Sequence, residues 1–335
     1  MSEIDVFLIS FFLCLIINYI LPKYNFLIDK KFFPHKAFTS KNSVPISGGL
    51  IFILTTLLFL KFENYFNYII FLIFFVGVLS DLNSLKSPYK RFFLQVTVIF
   101  TLVLFCKIFI SSIRIPFFDY LLTYTLFKYF FVVFCLLILI NGSNFIDGLN
   151  SLLISYLAIV IYILIKLNFV PEAIYFENNL NYFFLFLIVL IILNFNNLLM
   201  LGDAGAYLLS FFVGYLIIKS HNLNIDISPY FFINLIWLPC FENLFSIIRK
   251  FLSRFSPLVP DSNHLHQLIF RSLNRKIFKN KLIANNFSSI FIVCFNFLAL
   301  YFVAIDPYNT IYQIKLTFLF IICYFLLFFL LKNET

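Results

Sequence analysis

The sequence predicts an all-α protein that crosses a membrane many times, and its composition is the first reason. Of the 335 residues, 62% are hydrophobic and 12% are charged. A soluble domain carries about 25% charged residues. The mean hydropathy is +1.00. The polar segments between the apolar runs are too short for a separate soluble domain, so residues 1–335 are expected to form a single polytopic membrane domain.

The second reason is the spacing of apolar runs that can cross a hydrocarbon layer about 30 Å thick, with allowance for tilt. Such runs occur at 4–22, 46–61, 65–80, 92–113, 119–140, 151–168, 181–198, 204–220, 228–248, 287–305 and 312–331. The prediction is therefore a bundle of about eleven transmembrane helices. An odd number places the two ends of the chain on opposite sides of the membrane.

The distribution of Lys and Arg predicts the orientation of the bundle, because cytoplasmic loops carry an excess of these residues. With the N-terminus outside, 17 of the 24 Lys and Arg lie in the inside loops and the C-terminal tail. The opposite orientation reverses this ratio. The inside loops are then 23–45, 81–91, 141–150, 199–203 and 249–286.

A polar decapeptide, residues 141–150, lies between two long apolar runs. An Asp at the centre of a spanning helix costs roughly 2.5–3.5 kcal/mol, so Asp147 is expected at a junction that faces water. On its own, the segment also fits an ordinary interhelical turn. However, Asp81, Asp203 and Asp261 lie one each in three other inside loops. The pattern predicts a polar site in one cytoplasmic cleft.

Basic residues near these acids suit phosphate groups. In the loop that follows Ser80, Lys86 and Lys90 are candidates for holding a lipid phosphate at the membrane surface, whereas Arg91 is interpreted as a positive-inside anchor. The 249–286 loop carries eight Lys and Arg against one acid, which fits a nucleotide diphosphate.

The same basic loop contains His264 and His266 close to Asp261. A solvated basic loop explains the charge but does not explain this pair of histidines. An isolated His-x-His is weak support for a zinc site, because no further His or Cys lies nearby.

Asp203 lies between two glycines at the predicted start of a helix, where two interpretations are open. It could cap the helix. It could also bind Mg²⁺, an ion that takes one or two carboxylates together with substrate phosphates.

Five short motifs follow one another along the chain in a familiar order. They contain His35, Pro45, Gly48 and Gly49; Asp81, Ser87, Pro88, Lys90 and Gln95; Asn144, Asp147 and Gly148; Asn194, Gly202, Asp203 and Gly205; and Asp261, His264 and His266. This series resembles that of the polyprenyl-phosphate N-acetylhexosamine-1-phosphate transferases, glycosyltransferase family 4. The resemblance spans about His35 to Arg271.

The resemblance implies transfer of a sugar-1-phosphate from a UDP-sugar to undecaprenyl phosphate with release of UMP, as the first membrane step of a cell-surface glycan pathway. It implies Mg²⁺, with Mn²⁺ as an alternative, and a bacterial inner membrane location with the site on the cytoplasmic face. The other expected partner is membrane lipid, nucleic acid is not expected, and a homodimer is left open.

The resemblance also assigns roles to residues. It implies catalytic roles for Asp81, Asp147 and Asp203, and a metal site at Asp203 and Asn144. The residues it implies in substrate binding are Lys86, Lys90, Asn144, Asp261, His264 and His266.

The chain departs from the family pattern at four positions, Ser80, Asn150, Ala206 and Gln267. Ser80 stands where the family has the first acid of an Asp-Asp pair. An inactive relative is therefore one alternative. A transporter of a polyprenyl-linked sugar is another, although such proteins favour midplane charges and internal repeats, which this sequence lacks.

Overall fold

The computed structural model describes residues 3–28, 44–59, 64–85, 87–170, 179–256 and 262–334. Over these residues the chain forms fourteen α-helices, and the one β feature is an isolated bridge between Ile28 and Pro45. The helices are α1 (Glu3–Lys23), α2 (Gly48–Phe59), α3 (Asn64–Asp81), α4 (Pro88–Phe105), α5 (Pro116–Leu122), α6 (Thr125–Ile146), α7 (Leu152–Lys166), α8 (Asn179–Phe195), α9 (Gly202–Leu223), α10 (Pro229–Leu235), α11 (Trp237–Leu252), α12 (Leu265–Lys276), α13 (Lys281–Ile305) and α14 (Thr310–Glu334). The all-α fold class is confirmed.

Each predicted apolar run contains a helix, but the count of eleven transmembrane helices is not confirmed. In the described part of the chain, six helices are long and apolar enough to cross a membrane, namely α1, α4, α6, α9, α13 and α14. The pair α10 and α11 would make a seventh, and the apolar helices α2, α3, α7 and α8 are shorter in their described parts. The chain is a multi-pass membrane protein.

Helix breaks account for further differences from the predicted spans. The run 228–248 divides into α10 and α11, which are bent by 80° relative to each other. Pro239 lies in the first turn of α11, where a missing N–H costs no intrahelical hydrogen bond. The run 119–140 likewise divides between α5 and α6. The predicted loop 249–286 contains α12.

Helix α9 forms the centre of the bundle and is buried along most of its length. It packs against α2, α3, α6 and α7. Helix α6 also approaches α11 very closely at Gly142, where a Cβ atom would lie 1.9 Å from the carbonyl oxygen of Pro239. The close approach brings the C-terminal end of α6 beside α11.

Long-range contacts show which loops share an end of the bundle. Asp81, at the end of α3, bonds the start of α9, and His266, near the start of α12, lies against Gly148 just beyond α6. At the other end, Arg114 donates to the carbonyl groups of Ile225 and Asp226. Asn194 links the first two of these contacts, since it bonds both Ser151 and Leu199, so described parts of four predicted inside loops lie together. That this end faces the cytoplasm stays a prediction.

Candidate active site

The start of α9 is held by a carboxylate from another helix. Asp81 Oδ1 accepts the backbone N–H of Asp203 at 2.8 Å, and Asp81 Oδ2 accepts that of Ala204 at 3.0 Å. Gly202 has φ +74°, and a Cβ atom there would lie 2.3 Å from Ile46 Cγ2 and 2.9 Å from Asp81 Oδ2. Asp81 thus caps α9 in place of Leu201, the residue at the N-cap position, which makes no side-chain capping bond.

Asp203 lies in the first turn of α9, as predicted, and its carboxylate contacts α3 and α4. Ser80 donates its hydroxyl to Asp203 Oδ2 at 2.5 Å, and Arg91 Nη1 lies 3.4 Å from the same oxygen. The Asp203 side chain is 13% exposed. Within the described part of the chain, Asp203 Oδ1 has no hydrogen-bond partner. That oxygen is available to a ligand.

The turn that follows α6 is connected to the segment before α9. Asn144 lies in the last turn of α6, and Asp147 is its C-cap residue. Asn194, on α8, accepts the N–H of Ser151 with its Oδ1 and donates from Nδ2 to the carbonyl of Leu199 at 2.8 Å. Asn194 therefore fixes the two motif-bearing segments relative to each other.

The His-x-His pair lies against the end of α6. The His264 ring is 4.8 Å from the Phe145 ring and is stacked on His266 at 5.7 Å. A Cβ atom on Gly148 would lie 3.1 Å from His266 Nε2. His264 Nδ1 lies 2.9 Å from Glu242 Oε1. The histidines thus adjoin the Asn-x-x-Asp-Gly segment, as the predicted cleft requires.

His266 is neutral in this environment. Burial lowers the pKa of His266 to about 3, against the opposing effect of the Glu242 carboxylate. With Trp237, Asn296 and Tyr324 it lines a cavity of about 30 Å³. His264 and His266 are only 4% and 2% exposed. Contact of either ring with a substrate stays a prediction.

The other residues predicted for the site either make few described contacts or lie outside the described residues. Lys90 is exposed in the first turn of α4, where its N–H donates to Ser87 Oγ at 3.5 Å. Lys86 and Asp261 lie outside the described residues, as does His35. The assigned roles of all these residues therefore stay predictions.

The donor set at Asp203 fits Mg²⁺ better than a metal held wholly by protein side chains. Among the described residues, no group of three His, Cys, Asp or Glu side chains could hold a metal ion. Mg²⁺ needs fewer protein ligands, because phosphates and water complete its octahedral shell. The partly buried carboxylate of Asp203, with Oδ1 available, is such a ligand. A shared ion between Asp203 and Asn144 stays a prediction.

Two charged residues at this end were not predicted as site residues. Arg91, interpreted as an anchor, contacts both Ser80 and Asp203. Glu242 is 1% exposed and bonds His264. A signal for Glu242 exists in the sequence, since Ser246 and Lys250 follow it at four-residue intervals, as on one face of a helix that begins in the apolar run 228–248.

Comparisons with known proteins cover the middle of the chain. Residues 65–221 match the family model described as glycosyl transferase family 4. Similar curated proteins include the undecaprenyl-phosphate alpha-N-acetylglucosaminyl 1-phosphate transferases of Escherichia coli (strain K12) and Shigella flexneri, each 26% identical over 196 residues. The match covers 53% of this chain and 50% of each relative, so the chain spans about half their length. The family resemblance is confirmed.

Proposed function

We propose that this chain is a member of glycosyl transferase family 4, and that it transfers a sugar-1-phosphate from a UDP-sugar to undecaprenyl phosphate and releases UMP. The observation that carries the proposal is the contact of Ser80, Asp81 and Arg91 with the start of α9 at Asp203. These residues come from three separate segments, all within the family match. The curated relatives' names support undecaprenyl phosphate as acceptor and an N-acetylhexosamine as the sugar.

The proposed reaction exchanges one phosphorus–oxygen bond for another. A phosphate oxygen of the lipid attacks the β-phosphorus of the UDP-sugar, the bond from that phosphorus to the bridging oxygen breaks, and UMP leaves. A phosphate monoester has its second pKa near 6, so the acceptor is largely dianionic at neutral pH. A general base is therefore not obligatory. Ser80, in place of an acid, serves instead to orient Asp203 through their hydrogen bond.

The remaining roles follow from position and charge. Mg²⁺ held by Asp203 and Asn144 would neutralise charge on the diphosphate and on the departing UMP. Asp81 positions Asp203 by capping α9. Lys86 and Lys90 would hold the lipid phosphate, and Asp147, Asp261 and the two histidines would lie around the nucleotide diphosphate. The complete bundle of eleven spans, with this site at the cytoplasmic face of the bacterial inner membrane, belongs to the same proposal.

The direct experiment incubates purified protein with Mg²⁺, undecaprenyl phosphate and a panel of UDP-sugars, and measures UMP. We expect UMP release that requires the lipid and one or a few of the sugars. D203N, purified with unchanged thermal stability, is the matched control and should release none. No UMP with any sugar would favour an inactive relative. Lipid-independent release would contradict transfer to undecaprenyl phosphate.

A further inference from the structure

Glu242 is a buried acid in the middle of the α11 segment, with three hydrogen-bond donors around it. Its Oε1 is 2.9 Å from His264 Nδ1 and accepts the backbone N–H of Leu265 at 3.3 Å. Its Oε2 accepts the hydroxyl of Tyr324, from α14, at 2.9 Å. Because an isolated buried carboxylate is very costly, this convergence of donors from two other segments is what allows an acid here.

The arrangement determines where His264 carries its proton. An ionised carboxylate only accepts hydrogen bonds, so the ring nitrogen that faces Glu242 must be N–H. The contact with Glu242 therefore favours the tautomer of His264 that carries its proton on Nδ1. In addition, Tyr324 fixes the Glu242 carboxylate from the opposite side, so the ring orientation depends on α14.

We infer that Glu242 is a positioning residue for His264, and that Tyr324 positions Glu242. This inference rests on the proposed function, in which His264 would lie beside the diphosphate of the nucleotide sugar. The His264 ring packs on Phe145 and on His266, which itself lies against Gly148. A change in the orientation of the His264 ring would therefore alter the packing around the turn that carries Asn144 and Asp147.

The test uses E242Q and Y324F, with Y156F as the matched control. Gln keeps the size of Glu but can turn its amide either way, so it no longer requires Nδ1–H on His264. Tyr156 resembles Tyr324 in that it is buried and donates its hydroxyl, here to the carbonyl of Leu235 at 2.8 Å. It therefore reports the general cost of removing a buried hydroxyl group.

The first measurement does not depend on turnover. The chain has four histidines, so ¹⁵N-histidine spectra in nanodiscs are simple to assign with H264Q. We expect His264 of the wild type in the Nδ1–H form at neutral pH, and a mixture of tautomers in E242Q. Y324F should also shift the His264 signals, whereas Y156F should leave them unchanged.

The second measurement is steady-state kinetics with both substrates. For E242Q we expect kcat/KM for the UDP-sugar to fall by about 10- to 100-fold, the usual effect of losing a hydrogen bond to a charged group. Part of the fall should appear as a higher KM for the UDP-sugar, with the KM for undecaprenyl phosphate unchanged. A merely destabilised protein would lose kcat for both substrates without a change in KM.

The outcomes separate the inference from the proposed function. A wild type that releases no UMP contradicts the function, while the tautomer measurement still reports on Glu242. An active E242Q with wild-type KM values and an unchanged His264 spectrum contradicts the inference. If E242Q fails to fold, Y324F decides: the inference is wrong if its His264 signals and KM values match those of Y156F.

Discussion

Replacing Asp81 by Asn should loosen the start of α9, and the effect can be worked from two hydrogen bonds. Asp81 accepts the N–H groups of Asp203 and Ala204 at 2.8 and 3.0 Å. Asn keeps one acceptor oxygen and turns an N–H₂ group toward the other backbone N–H. D81N therefore loses one of the two bonds and all of the negative charge at the helix N-terminus.

The size of the effect follows from typical values for such interactions. A hydrogen bond to a charged group contributes about 1.5–3 kcal/mol net. A charge at a helix terminus adds about 0.3–1 kcal/mol. Together these give a local loss of about 2–4 kcal/mol, which would make opening of the first turn of α9 roughly 30- to 700-fold more frequent, at 1.4 kcal/mol per tenfold change.

Amide hydrogen exchange over residues 202–206 measures this opening without any substrate. The matched control is D119N, because Asp119 accepts the Ser112 hydroxyl and the Ile113 N–H, both at 2.8 Å, at the other end of the bundle. D119N should accelerate exchange at Ile113 and leave residues 202–206 of α9 unchanged. Wild-type exchange across 202–206 in D81N would refute the capping role of Asp81 and, with it, the positioning of Asp203 from α3.

Three further predictions concern the metal, the phosphates and the orientation. D203N should insert and keep its thermal stability while losing turnover across a Mg²⁺ titration, because Asn keeps the size of Asp and one acceptor oxygen but not the charge that binds Mg²⁺; near wild-type turnover would remove Asp203 from the metal site. Lys90→Ala should lower kcat/KM about tenfold or more, because Lys90 would hold the lipid phosphate, whereas Lys279→Ala should not, because Lys279 is an exposed lysine that we interpret as a membrane anchor. Equal losses in the two variants would contradict this division. Ser262→Cys should react with a membrane-impermeant thiol reagent from the cytoplasmic side, and Asn178→Cys from the outer side; the reverse pattern would contradict the topology.

The fold class was predictable because the membrane imposes strong constraints on sequence. In the hydrocarbon layer the backbone satisfies its hydrogen bonds only in helices or closed β-barrels, and long uninterrupted apolar runs indicate helices. The division of 228–248 into α10 and α11 was harder to predict, because Pro239 suits the first turn of a new helix but also occurs in kinked helices. Hydropathy alone cannot distinguish a straight span from a bent one.

The site was predictable where its residues lie in loops, and less so where they lie in helices. Asp203 stood out as a charge between two glycines after an apolar run, and the structure places it in the first turn of α9. Glu242 lies inside an apolar run, where hydropathy averages conceal a single acid. Its partner Tyr324 is separated from it by 82 positions in a tyrosine-rich and phenylalanine-rich chain. Only the packing of α11, α12 and α14 reveals that pair.

Arg91 shows a second reason why the site could not be predicted fully from the sequence. Its position next to Lys90 in a basic inside loop fits a membrane anchor, and the sequence offers no sign that α4 directs it toward Asp203. The structure places its guanidinium 3.4 Å from that carboxylate, with the side chain 31% exposed. The contact depends on how α3, α4 and α9 pack together, which local sequence does not determine.

The central claim is that the transferred group includes a phosphate, and isotopic labelling tests this most directly. Purified protein is incubated with undecaprenyl phosphate, Mg²⁺ and the accepted UDP-sugar, labelled with ³²P at either the α or the β phosphorus. The proposed reaction predicts that the β label moves into the lipid phase while the α label remains in aqueous UMP. A glycolipid without the β label, formed together with UDP, would show that only the sugar is transferred and would contradict the claim.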